Sequence, residues 1–265
     1  MPYNRAASST VKAVFCEFPR FLQVAGDVFS CHHLCEDGAT TLMRVLVLVC
    51  FLAATTAFAQ QPPVERWPAE LAAFEAADRA APPPKGEIVF VGSSTIKLWD
   101  LAKSFPDLKT INRGIIGSSM GDAVREAPRL VIPHQPRIVV VYAGDNDIDG
   151  GATSEQVAVQ FERFVRVVRA ALPDVRIVYI GIKPSLDRWD VIERDRLTNA
   201  LIRAQAAHDD GVAFVDVDNV MLGWDERPRP ELFVPDGLHL TATAYDIWTT
   251  LLRPLLVAPT NGTVR

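Results

Sequence analysis

Along the chain, short apolar runs alternate with stretches whose apolar residues recur at helical spacing. Residues 87–91, 109–112, 137–142, 176–180 and 212–217 read as strands. The run Ile138-Val139-Val140-Val141 contains no polar residue, as expected of a strand covered on both faces in a parallel sheet. Between the strands lie helical patterns. Residues 67–79 place Trp67, Leu71 and Phe74 on one side, with Pro68 tolerated in the first turn. Residues 97–103 read as a short helix whose Leu98 and Trp99 are packing residues. A helix from Met120 carries Ala123, Val124, Ala127, Leu130 and Val131 on one face and stops at Pro133. Thr153-Ser154-Glu155-Gln156 reads as a capping box ahead of Val157, Phe161, Phe164, Val165, Val168 and Leu172. Residues 191–208 set Leu197, Leu201 and Ala204 on one side, and Tyr245, Trp248, Leu251, Leu252 and Leu255 mark a last helix. Five strands alternating with helices predict an α/β fold: three α/β/α layers around a five-stranded parallel sheet in flavodoxin-like order. Loops at the carboxyl ends of such strands build the site.

The front of the chain breaks this pattern. Met43-Arg44, an apolar run from Val45 to Ala54 and the small-x-small site Ala57-Phe58-Ala59 have the composition and order of a secretory signal peptide. The run is short for a membrane-spanning helix. We therefore expect a signal peptide over residues 43–59 cleaved before Gln60, no stable membrane span after cleavage, and a secreted or periplasmic product. Residues 1–42 would be a non-native upstream extension, with Met43 as initiator. Residues 60–85 would be a linker and N-terminal helix, 86–258 the main α/β domain and 259–265 a tail.

The four cysteines, Cys16, Cys31, Cys35 and Cys50, all lie ahead of that cleavage site. His32 and His33 beside Cys31 and Cys35 match no familiar zinc spacing, so no metal is expected. Four basic and four acidic residues fall in 1–59, which leaves 23 Lys and Arg against 28 Asp and Glu in the remainder. With no dense basic run, nucleic acid is not an expected partner.

Candidate chemistry gathers behind the strands. Val91-Gly92-Ser93-Ser94 ends the first. Asn112-x-Gly114-x-x-Gly117 follows the second, and Gly144-Asp145-Asn146-Asp147 the third. Asp236-x-x-His239 precedes the last helix. A serine hydroxyl needs a base, an orienting group for the base, and donors for an oxyanion. His239, in a predicted loop with Asp236 three residues earlier, can serve as base with its orienter.

The four segments, in this order, resemble the blocks of the SGNH (GDSL-type) esterase/lipase superfamily, over about residues 87–255. The resemblance implies a serine esterase working through an acyl-enzyme without cofactor or metal. It assigns Ser94 as nucleophile, His239 as base and Asp236 as its orienter. The oxyanion donors would be the backbone N–H groups of Ser94 and Gly117 and the side-chain amide of Asn146. Substrates of the kind are small-molecule or glycan esters: acetylated sugars, lysophospholipids, short-chain or aryl esters, thioesters. Short acyl groups are favoured, since no long apolar lid is evident, although residues 218–235 could form one in part.

Two positions depart from the family pattern. Ser93 stands where Asp is common, which leaves the positioning of that loop open. Asp145 adds a carboxylate before Asn146, which would either disfavour anionic substrates near the oxyanion site or face solvent, and we favour solvent. Gly117-Ser118-Ser119-Met120-Gly121 also matches G-x-S-x-G and makes Ser119 a rival nucleophile. Ser119-x-x-Asp122 is better read as a helix cap. His134 and His208 are expected at a surface loop and a helix end. Asp122, Asp147 and Asp216 are expected to cap or orient loops. Trp189 and Trp224 are candidates for a substrate cleft or for peripheral packing. The non-enzymatic alternative is a secreted carbohydrate-binding module.

Overall fold

The computed structural model describes residues 66–257. The expected leader and the extension ahead of it lie outside the described residues. Helix α1 (Pro68–Ala80) precedes strand β1 (Ile88–Gly92). Two single helical turns follow, α2 (Ser94–Lys97) and α3 (Leu101–Ser104), then β2 (Thr110–Gly114) and α4 (Met120–Leu130). Next come β3 (Ile138–Tyr142), the turn α5 (Asp145–Asp149) and the long helix α6 (Ser154–Ala171). The chain continues through β4 (Arg176–Ile180), α7 (Ile192–Ala206), β5 (Val212–Val215), α8 (Asp218–Met221) and α9 (Ala242–Val257).

All five strands run parallel in the order β2-β1-β3-β4-β5, the expected flavodoxin-like arrangement. Residues alternate across each strand, so the two sheet faces carry separate cores. Val89, Val91, Val139, Val141, Ile177 and Tyr179 pack with residues of α1, α4, α6 and α7. Ile88, Phe90, Ile138, Val140, Tyr142 and Val178 pack under Trp99, Phe105 and the Tyr245, Trp248 and Leu252 face of α9. Burying each of these large side chains contributes about 1.5–3 kcal/mol. Chain direction switches between β1 and β3: β1 feeds β2 on one side, β3 feeds β4 on the other. Ligand crevices of open α/β sheets form at such a switch.

Four local expectations are corrected. Residues 97–103 are not one helix but two turns interrupted at Leu98, Trp99 and Asp100. The Asn112 amide donates to the carbonyls of Ile96 and Trp99, and the Asp100 side chain accepts from the Lys103 N–H. Trp99 is core as expected, whereas Leu98 is half exposed. Helix α7 buries chiefly a face of Ile192, Asp195, Thr198, Asn199 and Ile202; of the expected side, Leu201 packs partly buried against the core while Leu197 and Ala204 are exposed. Polar groups are needed there because Asn199 satisfies both the N–H and the C=O of Ile182 in the loop after β4. His134 is buried rather than on a surface loop, with Nε2 3.5 Å from Asp78 of α1, and burial holds its pKa below the ordinary value. Asp145 is buried too, as its partners below explain.

Candidate functional site

Strand β1 delivers its serines through a backbone turn that only glycine fits. Gly92 has φ +145°, and a Cβ there would lie 1.8 Å from the Tyr142 carbonyl oxygen on β3. The Ser93 N–H donates to that same oxygen at 3.0 Å, and the Ser93 carbonyl accepts from Ile96 and Lys97. Ser94 thus becomes the first residue of α2, where backbone N–H groups have no acceptor within the turn. It is 8% exposed. Tyr245 of α9 donates to the Thr95 carbonyl at 2.9 Å, and Asn112 Oδ1 accepts the Gly114 N–H while its amide holds Ile96. These bonds fix the turn without the Asp common at position 93. The Ser93 hydroxyl itself is fully buried with no partner.

The loop before α9 brings His239, the candidate base. An antiparallel bridge between Phe233 and Leu240 closes it, and the Val234 N–H donates to the His239 carbonyl. Asp236 Oδ1 accepts the backbone N–H groups of Leu238 and His239, each at 2.9 Å. Its Oδ2 lies 2.6 Å from His239 Nδ1, and His239 Nε2 lies 3.0 Å from Ser94 Oγ. A carboxylate can only accept, so Nδ1 carries the hydrogen and the free Nε2 lone pair faces the serine hydroxyl. The His239 hydrogen bond, then the two backbone donors, hold the Asp236 pKa down at about 2. The carboxylate is nevertheless about half exposed.

Across from this pair, Gly117 adopts φ +73° with nothing near its missing side chain, so its glycine answers a backbone angle rather than crowding. Ser118 beside it is buried and was not singled out from the sequence. Its hydroxyl donates to the Gly92 carbonyl at 3.0 Å, and its own carbonyl accepts Asn146 Nδ2 at 2.9 Å. Ser118 thereby ties the three loops carrying Ser94, Gly117 and Asn146. Asp147 accepts the Met120 N–H at 2.9 Å, anchoring α5 to α4, and burial raises its pKa.

Under Asn146 lies a cluster that sequence reading missed. Asp145 does not face solvent. Its Oδ1 accepts the Asn146 N–H at 3.0 Å, and its Oδ2 lies 3.2 Å from the Tyr142 hydroxyl, 3.6 Å from Lys183 Nζ and 3.8 Å from Arg188 Nη1. Lys183 in turn donates to the Tyr142 hydroxyl at 3.1 Å. Arg188 Nη2 donates to Asn146 Oδ1 at 3.1 Å and pairs with Asp149 at 3.4 Å. Asp195, on the buried face of α7, interacts electrostatically with the same group. Burial, then the Asp145 charge, push its pKa up to about 8, and burial lowers that of Lys183. The visible signal was the spacing of Asp195, Thr198 and Asn199, a polar stripe at helical period.

The remaining candidates fall outside this arrangement. Ser119 is the N-cap of α4 in a capping box with Asp122, which occupies its hydroxyl structurally. Trp189 packs under Arg196 and Arg227, while Trp224 is fully exposed. Residues 218–235 are largely anchored, since Met221, Leu232 and Phe233 sit in the core beneath α9. Among the described residues, no His, Cys, Asp or Glu group is placed to hold a metal ion, and no helix is long and apolar enough to cross a membrane.

Comparison with known proteins adds three findings. The model of the GDSL-like lipase/acylhydrolase family matches residues 98–247, a stretch that begins just after Ser94 and includes Asn146, Asp236 and His239. The platelet-activating factor acetylhydrolase IB subunit alpha1 of Bos taurus is 30% identical over 178 residues, covering 64% of this chain and 75% of the relative. Two solved structures share the fold. A GDSL-like lipase from Bacteroides thetaiotaomicron has TM-score 0.62 and 21% identity, covering 70% of this chain and 96% of its own. A family 3 carbohydrate esterase from Clostridium thermocellum has TM-score 0.54 and 15% identity, covering 67% and 100%.

Proposed function

The chain belongs to the GDSL-like lipase/acylhydrolase family and is an ester-bond hydrolase, and we propose that it works as a serine esterase on short acyl, especially acetyl, esters. The observation that carries the mechanism is the continuous hydrogen-bond chain from Ser94 Oγ through His239 to Asp236. Nε2 takes the Ser94 proton as Oγ attacks the ester carbonyl carbon. The imidazolium, held by the Asp236 carboxylate, returns that proton to the leaving alcohol as the carbon–oxygen bond breaks. Water then repeats the sequence on the acyl-enzyme, releasing the acid and restoring Ser94. The N–H groups of Ser94 and Gly117 and the Asn146 amide receive the oxyanion in both halves. The acetyl preference is supported by the name of the Bos taurus relative and by the anchored state of residues 218–235.

The decisive experiment follows hydrolysis of p-nitrophenyl esters from acetyl to dodecanoyl, with Ser94→Ala and Ser119→Ala in parallel. Ser94→Ala is expected to abolish turnover and adduct formation by an organophosphonate, and Asp236→Asn to lower kcat on the order of 10⁴-fold by presenting the wrong tautomer. Parent-like turnover in Ser94→Ala overturns the assignment, and a maximum at long chains overturns the acyl preference. We also propose export directed by residues 43–59, which N-terminal sequencing of protein recovered outside the cytoplasm tests; a mature terminus ahead of Gln60 refutes the cleavage site.

A further inference from the structure

Asn146 can stabilise an oxyanion only with its amide turned the right way. The two ends of an amide are nearly isosteric, so the partners decide. On one side stands the Ser118 carbonyl, which can only accept, and it takes one Nδ2 hydrogen at 2.9 Å. On the other stands Arg188, which can only donate, and its Nη2 reaches Oδ1 at 3.1 Å. A flipped amide would lose both bonds and set donor against donor. The correct orientation leaves the second Nδ2 hydrogen free. The guanidinium also draws electron density toward Oδ1, which strengthens N–H donation from the other end.

Arg188 is itself held by an unusual placement of charge. Asp145, adjacent in sequence to Asn146, is a buried carboxylate that would oppose an oxyanion on the neighbouring residue. Lys183 and Arg188, both largely buried, converge on its Oδ2, and Asp149 pairs at 3.4 Å with the same Arg188 Nη2 that reaches Asn146. Asp145 holds the arginine by charge alone, since Arg188 Nη1 and Nε have no hydrogen-bond partner, and the two cations offset the carboxylate. The same loop also clamps the turn carrying the base: the N–H groups of Leu186 and Asp187 donate to the Gly237 carbonyl at 2.9 and 3.1 Å.

We infer that Arg188 is a positioning residue for the oxyanion site, which fixes and polarises the Asn146 amide from a buried Asp145–Lys183–Arg188 charge cluster. The inference rests on the oxyanion role given to Asn146 above.

A double-mutant cycle tests it, measuring kcat and KM on p-nitrophenyl acetate with thermal melting to verify folding. Asn146→Ala is expected to lower kcat by about 100- to 1,000-fold. Arg188→Met is expected to lower kcat by about 10- to 100-fold with KM within about threefold, because the Asn146–oxyanion bond it supports is made only in the transition state. Added to Asn146→Ala, Arg188→Met should lower kcat by less than about threefold more, since its effect passes through the amide already removed. Arg188→Lys keeps the charge without the planar fork and should recover part of the loss. If Arg188→Met does not fold, the same cycle with Arg188→Lys decides. Losses that multiply across the cycle, a loss confined to KM, or parent-like kcat in a folded Arg188 variant each overturn the inference. Parent-like kcat in Asn146→Ala instead overturns the oxyanion assignment itself.

Discussion

Replacing Asp195 with Asn should stabilise the protein, and by more at high pH than at low. Asp195 is 3% exposed, on the inner face of α7, with Oδ1 lacking any partner. Its pKa is pushed up to about 8 from an ordinary 3.8, first by burial and then by the charge of Asp145. Below about pH 4 the carboxyl is protonated in both folded and unfolded chains and carries no penalty. As pH rises, the unfolded chain releases the proton while the folded one retains it, so stability falls by up to about 1.4 kcal/mol per pH unit. The loss levels off near pH 8, and the full gap of roughly four units sets a ceiling of about 5–6 kcal/mol. Asn reproduces the shape of the protonated acid but keeps a buried dipole, so the recoverable part is about 1–3 kcal/mol. Urea unfolding followed by tryptophan fluorescence, at about pH 5 and about pH 9, measures it. The variant should gain at least about 1 kcal/mol more at the higher pH. The opposite outcome is equally readable. Were Asp195 held as an ion pair by Lys183 and Arg188, the variant would lose stability relative to the parent as pH rises, and that result refutes the reasoning.

Two further outcomes follow from local geometry. Ser119→Ala should keep ester hydrolysis close to the parent yet lose about 1 kcal/mol in urea unfolding, because it removes the N-cap of α4 and not a nucleophile; a large loss of turnover with unchanged stability would reverse the ranking of Ser94 and Ser119. Gly92→Ala should cost at least about 4 kcal/mol and leave little folded protein by circular dichroism, since its Cβ would overlap the Tyr142 carbonyl at an angle closed to other residues; a normally melting variant refutes the account of the β1 turn.

The layering was legible because it is written in local periodicity. The run Ile138 to Val141 suggests a doubly covered strand and is one, and the Thr153 to Gln156 box marks the entry to α6 as found. Helix α7 was misread for a physical reason. Periodicity locates a buried face by its apolar residues, and this face mixes Ile192 and Ile202 with Asp195, Thr198 and Asn199, of which Asn199 satisfies a loop distant in sequence. The same applies to residues 97–103, where Asn112 of β2 takes carbonyls that a continuous helix would have used.

At the site, the residues brought together by short spacing were readable: Asp236 and His239 hydrogen-bond within one turn, and Ser94 follows its strand directly. What was not readable is pairing between loops. Yet one step could have been taken from the sequence. A carboxylate beside a proposed oxyanion donor either faces water or requires a cation, and one hydroxyl, that of Tyr142 at the end of β3, does not balance its charge. In a flavodoxin-like order β4 lies next to β3, so the first basic residues past its carboxyl end, Lys183 and Arg188, are the cations within reach. Asp145 therefore should be judged with the loop after β4 rather than alone. On that view, its charge is the condition that brings an arginine to Asn146.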